Sequence, residues 1–142
     1  MANPETPPRS FRTVVLRHET PDGEHHFDWM LDSLWGEPGS ERTLMTFRLR
    51  ESPVSERAPE MSAERLPNHR ALYLTFEGDL TGGRGRVTRV AEGEIRFVVS
   101  AAAEPSEFEF ECRFAGVPGW ERWSARGGGT GRANWTLTRL GA

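Results

Sequence analysis

The sequence contains no lysine, one cysteine and one tyrosine, and these scarcities exclude several classes of chemistry. All 18 basic residues are arginine. A phosphate-loop NTPase needs a lysine at its phosphates, and Schiff-base catalysis needs a lysine amine, so both classes are excluded. Cys112 is the single cysteine and cannot form an internal disulfide. That absence is typical of a reducing compartment, so we expect a cytoplasmic protein.

Long apolar runs and a large net charge are missing as well. No segment is long and apolar enough to cross a membrane, so we expect no membrane partner. Residues 1–10 are polar and proline-rich and lack the hydrophobic core of a signal peptide, so they are predicted to form a disordered tail. The net charge of −3 indicates no general basic surface for nucleic acid. Residues 11–142 are predicted to form one domain, which we expect to be a monomer.

Short alternating segments separated by glycine and proline are the main pattern of the chain. In the clearest, Phe108, Phe110, Cys112 and Phe114 alternate with charged residues, which predicts a strand with Cys112 in the core. There are about eight or nine such segments at intervals of roughly 8–12 residues. We therefore predict an all-β fold, a small closed or partly open antiparallel barrel of about eight strands.

The predictions for the middle of the chain are less regular. The only helical turn is predicted at Ser62–Leu66, because serine is a favoured N-cap. Further strands are predicted at Ala71–Phe76, Arg86–Val90 and Glu94–Ser100. The glycine-rich residues 78–85 are interpreted as a hairpin turn, since they do not match a dinucleotide-binding fingerprint.

Three of the four histidines flank a turn signal near the N-terminus. Thr20–Gly23 has the residue types of a type I turn followed by a left-handed glycine, which makes a three-residue hairpin loop. That loop pairs His18 with His26 on one face, and strand alternation brings Asp28 to the same face. Two imidazoles and a carboxylate together predict a metal site.

The loop length decides this prediction. A two-residue loop would pair His18 with His25 and turn Asp28 to the opposite face, leaving ordinary surface histidines. With the three-residue loop, Leu16 and Val14 lie opposite the second strand and place the polar groups on an apolar floor. Such a floor favours a pocket over a solvated surface.

The fourth histidine, His69, precedes Tyr73 by four residues. In a strand, residues four apart face the same way, so the two side chains could hold an anion together. Taken alone, a histidine at this position is more often a loop residue packed against its neighbours.

Several segments together resemble one known family. His26–Asp32 resembles the His-Tyr-Asp-Phe-Arg-Leu-Glu signature of the 3′-phosphoesterase domain of bacterial DNA ligase D, in which a histidine also stands at the place of His18. Asn68–Gly78 resembles that family's Asp-His-Pro-Leu-Asp-Tyr-x-x-Phe-Glu-Gly. Gly82–Val87 and Asn134–Leu137 are similar to its Gly-Gly-Gly-x-Val and Trp-x-Leu. The resemblance covers roughly residues 12–140 in order and is that of a free-standing relative without polymerase or ligase domains.

The resemblance implies a function. It implies a small β-barrel hydrolase of DNA repair that removes a 3′-terminal ribonucleoside and then the 3′-phosphate, using Mn²⁺ or another divalent transition metal. His18, His26 and Asp28 match the family's metal ligands, and His69 and Tyr73 match the catalytic groups at the scissile phosphate. DNA 3′ ends are the implied partner, with end-joining repair proteins as further partners.

The chain departs from the family in ways that bear on activity. Its hairpin is two residues longer, and Asp32 replaces a glutamate. Met30 occupies the place of an arginine whose paired, charge-assisted hydrogen bonds to phosphate a thioether cannot make. Losing such a bond costs about 1.5–3 kcal/mol, or roughly ten- to a hundredfold in rate or affinity. Arg48, Arg70 and Arg84 are the candidate phosphate-binding substitutes.

Two alternatives to the enzyme therefore remain open. One is a non-catalytic module that binds phosphate or a nucleic-acid end. The other is a structural barrel without a metal.

Overall fold

The computed structural model describes residues 10–33, 41–54, 58–99, 106–127 and 134–141. The strands are β1 (Ser10–Glu19), β2 (His25–Asp32), β3 (Leu44–Leu49), β4 (Glu60–His69), β5 (Gly78–Asp79), β6 (Arg86–Val99), β7 (Glu107–Phe114), β8 (Glu121–Gly127) and β9 (Trp135–Gly141). The described residues otherwise contain two short 3-10 turns, Ala71–Leu74 and Thr81–Gly83. In the same part of the chain, no helix has the length and apolarity needed to cross a membrane.

Eight of the strands close into an antiparallel barrel. They pair in the order β1-β2-β3-β4-β9-β8-β7-β6, and β6 pairs back to β1. The two-residue β5 adds to β6 as an extra strand. Closure removes the free edges that an open sheet would leave unpaired. The predicted small β-barrel is confirmed.

The barrel interior is filled by the inward-facing side chains of the strands. Trp29 is at its centre, and its ring lies 5.4 Å from that of Phe110 and 5.0 Å from that of Trp123, measured between centroids. A buried indole N–H needs an acceptor, and Trp29 Nε1 donates to Thr13 Oγ1 over 2.9 Å. Cys112 belongs to this cluster, as predicted, and burial raises its pKa.

A second apolar cluster lies on the outer face of β1 and β2. Val14, Leu16 and Met30 alternate with inward residues and therefore point away from the interior. Residues 70–85, which we call the strap, cross over this face and bury Leu74 against it. The apolar floor predicted beneath the histidines is therefore present, on the outside of the barrel.

The helical turn predicted at Ser62–Leu66 is wrong, because this segment lies within β4. Met61 and Ala63 are buried while Ser62 is exposed, which is strand alternation. β4 pairs with β9 at its start and with β3 at its end. Pairing on both neighbours outweighs the local preference of a serine for a helix N-terminus.

The strand predicted at Ala71–Phe76 is also wrong. The strap makes a 3-10 turn there instead, with the Tyr73 amide donating to the carbonyl of Arg70. The two strands predicted between residues 86 and 100 are one continuous strand, β6. Gly93, which stands between the two predicted strands, lies in β6 beside β7, where a Cβ atom would overlap the carbonyl oxygen of Arg113.

Two predictions fall partly outside the described residues. Of the predicted tail, residues 1–9 are not described, and Ser10 belongs to β1. Ser100, predicted to end a strand, is likewise outside the described residues.

Candidate metal centre

The hairpin loop that joins β1 and β2 has three residues. The Gly23 amide donates to the Thr20 carbonyl over 3.0 Å, Gly23 has a φ of +88°, and the Thr20 amide donates to the Glu24 carbonyl over 2.9 Å. The Asp22 carboxylate accepts from the Thr20 hydroxyl and the Glu24 amide, which lowers the pKa of Asp22. The predicted loop is confirmed, and the two-residue alternative is excluded.

This loop sets the register of the metal-ligating residue types. His18 pairs with His26, and Leu16 pairs with Asp28. His18, His26 and Asp28, hereafter the triad, consequently share the outer face of the hairpin. His25 is exposed instead, with its ring 5.7 Å from that of Phe27.

The ligand atoms of the triad converge on one point. His18 Nδ1 lies 3.2 Å from His26 Nε2 and 3.9 Å from Asp28 Oδ2, and His26 Nε2 lies 3.2 Å from Asp28 Oδ1. Metal bonds of about 2.1 Å place neighbouring ligand atoms about 3.0 Å apart in octahedral and about 3.4 Å apart in tetrahedral geometry. The spacing and the mixed imidazole and carboxylate donors fit a divalent transition metal.

The strap fixes the orientation of His18. Its Nε2 lies 2.8 Å from the carbonyl oxygen of Arg84. Because a carbonyl only accepts, Nε2 carries the proton and Nδ1 presents its lone pair to the triad. Backbone carbonyls commonly hold metal-binding histidines in this way.

Asp28 is nearly enclosed. Its side chain is 6% exposed, while those of the two histidines are each 16% exposed. Within the described residues, Asp28 Oδ1 has no hydrogen-bond partner of suitable geometry. An uncompensated buried carboxylate is costly, and a metal ion bound at the triad would offset that cost.

A pocket of about 250 Å³ lies between the triad and the strap. It is lined by His18 and Asp28 of the triad and by both residues that sequence reasoning placed at the phosphate, His69 and Tyr73. The His69 ring lies edge-on to that of Tyr73, with centroids 5.8 Å apart, and its Nδ1 donates to the carbonyl of Pro67 over 2.8 Å. His69 and Tyr73 therefore share a pocket with two residues of the triad, although Tyr73 lies in a 3-10 turn and not in a strand. We call this space the strap pocket.

Among the residues that the structure describes, three arginines line the strap pocket, Arg42, Arg70 and Arg84. Arg70 also lies 4.0 Å from Glu41, and the guanidinium of Arg84 donates to Thr81. Arg70 and Arg84 are among the predicted phosphate contacts. Sequence reasoning missed Arg42, because it stands just before β3 in a segment without a recognisable motif.

Met30 and Arg48 complete the set of predicted positions. Met30 lines the strap pocket but is only 2% exposed within the outer apolar cluster. Arg48 lies outside the strap pocket, 3.8 Å from Glu64, in a second cavity of about 520 Å³ that His26 also lines. We call this cavity the β3–β4 groove.

In comparisons with known proteins, no family model matches this chain and no curated protein matches it.

Proposed function

We propose that this protein is a metal-dependent phosphoesterase that acts on the 3′ ends of DNA. Its activity is the removal of a 3′-terminal ribonucleoside or a 3′-phosphate in DNA repair, with Mn²⁺ as the cofactor. The observation that carries the proposal is that the three ligand atoms of the triad converge beside the strap pocket, which His18, Asp28 and, among the described residues, three arginines line. This combination pairs metal ligands with charges suited to phosphate.

The triad residues would hold the metal, with His18 fixed by the carbonyl of Arg84 and Asp28 supplying the negative charge. A bound divalent metal supplies Lewis-acid stabilisation of charge on the phosphate and favours ionisation of water.

The other residues of the strap pocket act on the phosphate and on the strand that carries it. With Nδ1 donating to Pro67, His69 protonated at both ring nitrogens would have Nε2–H available to hold the phosphate, or to give a proton to the 3′-oxygen of the strand when a 3′-phosphate is removed. Tyr73 donates a hydrogen bond that orients the phosphate. Arg42, Arg70 and Arg84 supply charge-assisted bonds in place of the family arginine.

The test uses a primer–template that ends in one 3′-ribonucleotide and a second that ends in a 3′-phosphate, each incubated with Mn²⁺. We expect loss of the terminal nucleoside from the first and of phosphate from the second. Both reactions should stop with a chelator and with Asp28→Asn. No shortening and no phosphate release at micromolar protein would contradict the proposal.

A second candidate function is a module that binds phosphorylated DNA ends without turnover. The burial of Met30 in an apolar cluster favours it, because that position offers no charge to the phosphate. It predicts metal-dependent binding of a 3′-phosphate end without release of phosphate. Met30→Arg should then raise turnover, while the volume-conserving Met30→Leu should not.

A further inference from the structure

The triad separates two cavities. His18 and Asp28 line the strap pocket on one side, and His26 lines the β3–β4 groove on the other. A phosphodiester has two organic arms that diverge from its tetrahedral phosphorus atom. A phosphate held at the triad would therefore have one arm next to each cavity.

The β3–β4 groove lies beside the first half of β4. Glu60–Ala63 pair on the opposite edge with β9, while the pairing of β4 with β3 runs from His69 to Glu64. The two strands diverge at that point. The cavity between them has an apolar floor of Leu49, Met61 and Ala63, all of which belong to the barrel interior. Its volume is within the range of about 300–1,000 Å³ usual for small-molecule sites.

The charges around the two cavities differ. Among the described residues, the β3–β4 groove is lined by three carboxylates against two guanidinium groups, those of Glu51, Glu60, Glu64, Arg48 and Arg50. Arg48 lies 3.8 Å from Glu64. The excess of one negative charge favours a neutral ligand over a phosphate chain. The strap pocket, with three arginines against Asp28, suits the phosphate-bearing strand.

We propose that the β3–β4 groove binds the 3′-terminal ribonucleoside of the substrate. Resting on the proposed function, this assignment identifies the leaving part and its orientation. A terminal ribonucleoside has no phosphate on its 3′ side, so it is the neutral arm. Its base would lie on the apolar floor, and its 2′- and 3′-hydroxyls can donate to Glu60 or Glu64. Carboxylate acceptors at this position favour a ribose over a deoxyribose.

The reaction this orientation serves is a simple hydrolysis. The oxygen of water bonds to phosphorus and the bond from phosphorus to the 5′-oxygen of the terminal nucleoside breaks. One proton of the water goes to that 5′-oxygen, and the other stays with the phosphate or passes to solvent. The released nucleoside leaves from the β3–β4 groove, and the strand keeps a 3′-phosphate.

Filling the groove tests the assignment. Ser62 is exposed on β4 and lines the groove, so Ser62→Trp would occupy it from the outside. Ser124→Trp is the matched control, on the outer face of β8 and outside both cavities. We expect Ser62→Trp to lower ribonucleoside removal at least tenfold relative to 3′-phosphate removal, and Ser124→Trp to leave that ratio within twofold. An unchanged ratio in Ser62→Trp would overturn the assignment while the proposed function stands.

A binding measurement separates the two proposals without turnover. Calorimetry on the Mn²⁺-loaded protein compares adenosine 5′-monophosphate with inorganic phosphate. We expect the nucleotide to bind at least tenfold more tightly, and we expect this advantage to disappear in Ser62→Trp but not in Ser124→Trp. Equal affinity of the wild type for both ligands would overturn the groove assignment. Phosphate and nucleotide binding without any cleavage would instead overturn the proposed enzyme and leave the groove assignment standing.

Discussion

Charged side chains on two outer faces of the same barrel differ in their exposure and in their partners. On β6, β7 and β8, charged residues lie across from one another as cross-strand pairs, such as Arg113–Glu94 at 2.8 Å and Arg126–Glu107 at 2.8 Å. These side chains are about half exposed or more. On β1 and β2, the side chain of Asp28 is only 6% exposed, and its near neighbours in the triad are imidazoles.

The difference shows what each face is suited to do. Exposed ion pairs contribute about 0–1 kcal/mol each and serve mainly solubility and pairing specificity. A buried carboxylate without a strong partner costs stability unless a cation joins it. The paired face is therefore a solvated surface, whereas the triad face is a candidate site.

The largest contrast is expected from removing one carboxylate on each face. Asp28→Asn keeps the shape of the side chain and removes the charge of a proposed metal ligand, so we expect the Mn²⁺-dependent rate to fall roughly a hundredfold or more, since even the partners behind metal ligands are worth 10–100-fold. Glu109→Gln breaks an exposed pair with Arg122 and should change the rate less than twofold. The rate of 3′-phosphate removal measures both. Equal losses in the two variants would erase the distinction between the faces.

The second largest difference is expected between two arginine substitutions, one on each face. Arg70→Gln removes a cation that lines the strap pocket, and we expect the KM for a 3′-phosphate end to rise roughly ten- to a hundredfold, the value of one charge-assisted bond. Arg122→Gln on the paired face is the control and should leave KM unchanged. Steady-state kinetics over a range of DNA concentrations measures KM. An unchanged KM in Arg70→Gln would show that this guanidinium does not contact the phosphate.

A substitution in the strap should lower the stability of the protein most where the strap contacts the β1–β2 hairpin. Gly85 has a φ of +100°, and a Cβ atom there would overlap the carbonyl oxygen of Glu19. We expect Gly85→Ala to lower the free energy of unfolding by about 2–4 kcal/mol through overlap and backbone strain. It should also weaken Mn²⁺ binding, because the neighbouring Arg84 carbonyl orients His18.

Gly82→Ala is the matched control within the strap. Gly82 also has a positive φ, of +75°, but no atom lies within 4 Å of the place that a Cβ atom would take there. We expect a loss of about 1–2 kcal/mol, from backbone strain alone. Urea unfolding measures both variants, and an equal loss would show that Gly85 makes no essential close contact.

The smallest effect concerns the interior beneath the paired face. Burial raises the pKa of the Cys112 thiol, so the native state keeps it protonated at pH values where the unfolded chain ionises. The contribution of this thiol to the free energy of unfolding is therefore constant below the usual pKa of about 8.5. It decreases as the pH rises above that value, because the unfolded chain then loses the proton that the native state keeps. Between pH 8 and pH 10 the wild type should lose about 1–2 kcal/mol more than Cys112→Ala does. Urea unfolding at several pH values measures this difference. An equal loss of unfolding free energy in the two proteins between pH 8 and pH 10 would contradict the prediction.

The parts of the fold that local chemistry determines could be predicted from the sequence. Thr20–Gly23 contains all the residue types that its turn needs, so the loop length and the pairing of His18 with His26 follow from four residues. The alternation around Cys112 likewise marks one buried face of β7 without reference to other strands.

The parts that depend on distant partners could not be predicted. Nothing local indicates that β4 pairs with both β3 and β9, so the local pattern at Ser62 predicts a helix cap. The pattern of the strap predicts a strand because its apolar residues do not reveal that they cover the outer face of another hairpin. Arg42 and the carbonyl of Arg84 reach the site only through that packing.

We propose that the triad binds a divalent metal, and two adjacent histidines allow the most direct test. His26 belongs to the triad, whereas His25 is exposed and lies against Phe27. Calorimetric titration with Mn²⁺ should show one site in the wild type and in His25→Ala, and none in His26→Ala. Unchanged binding in His26→Ala, or its loss in His25→Ala, would contradict the account.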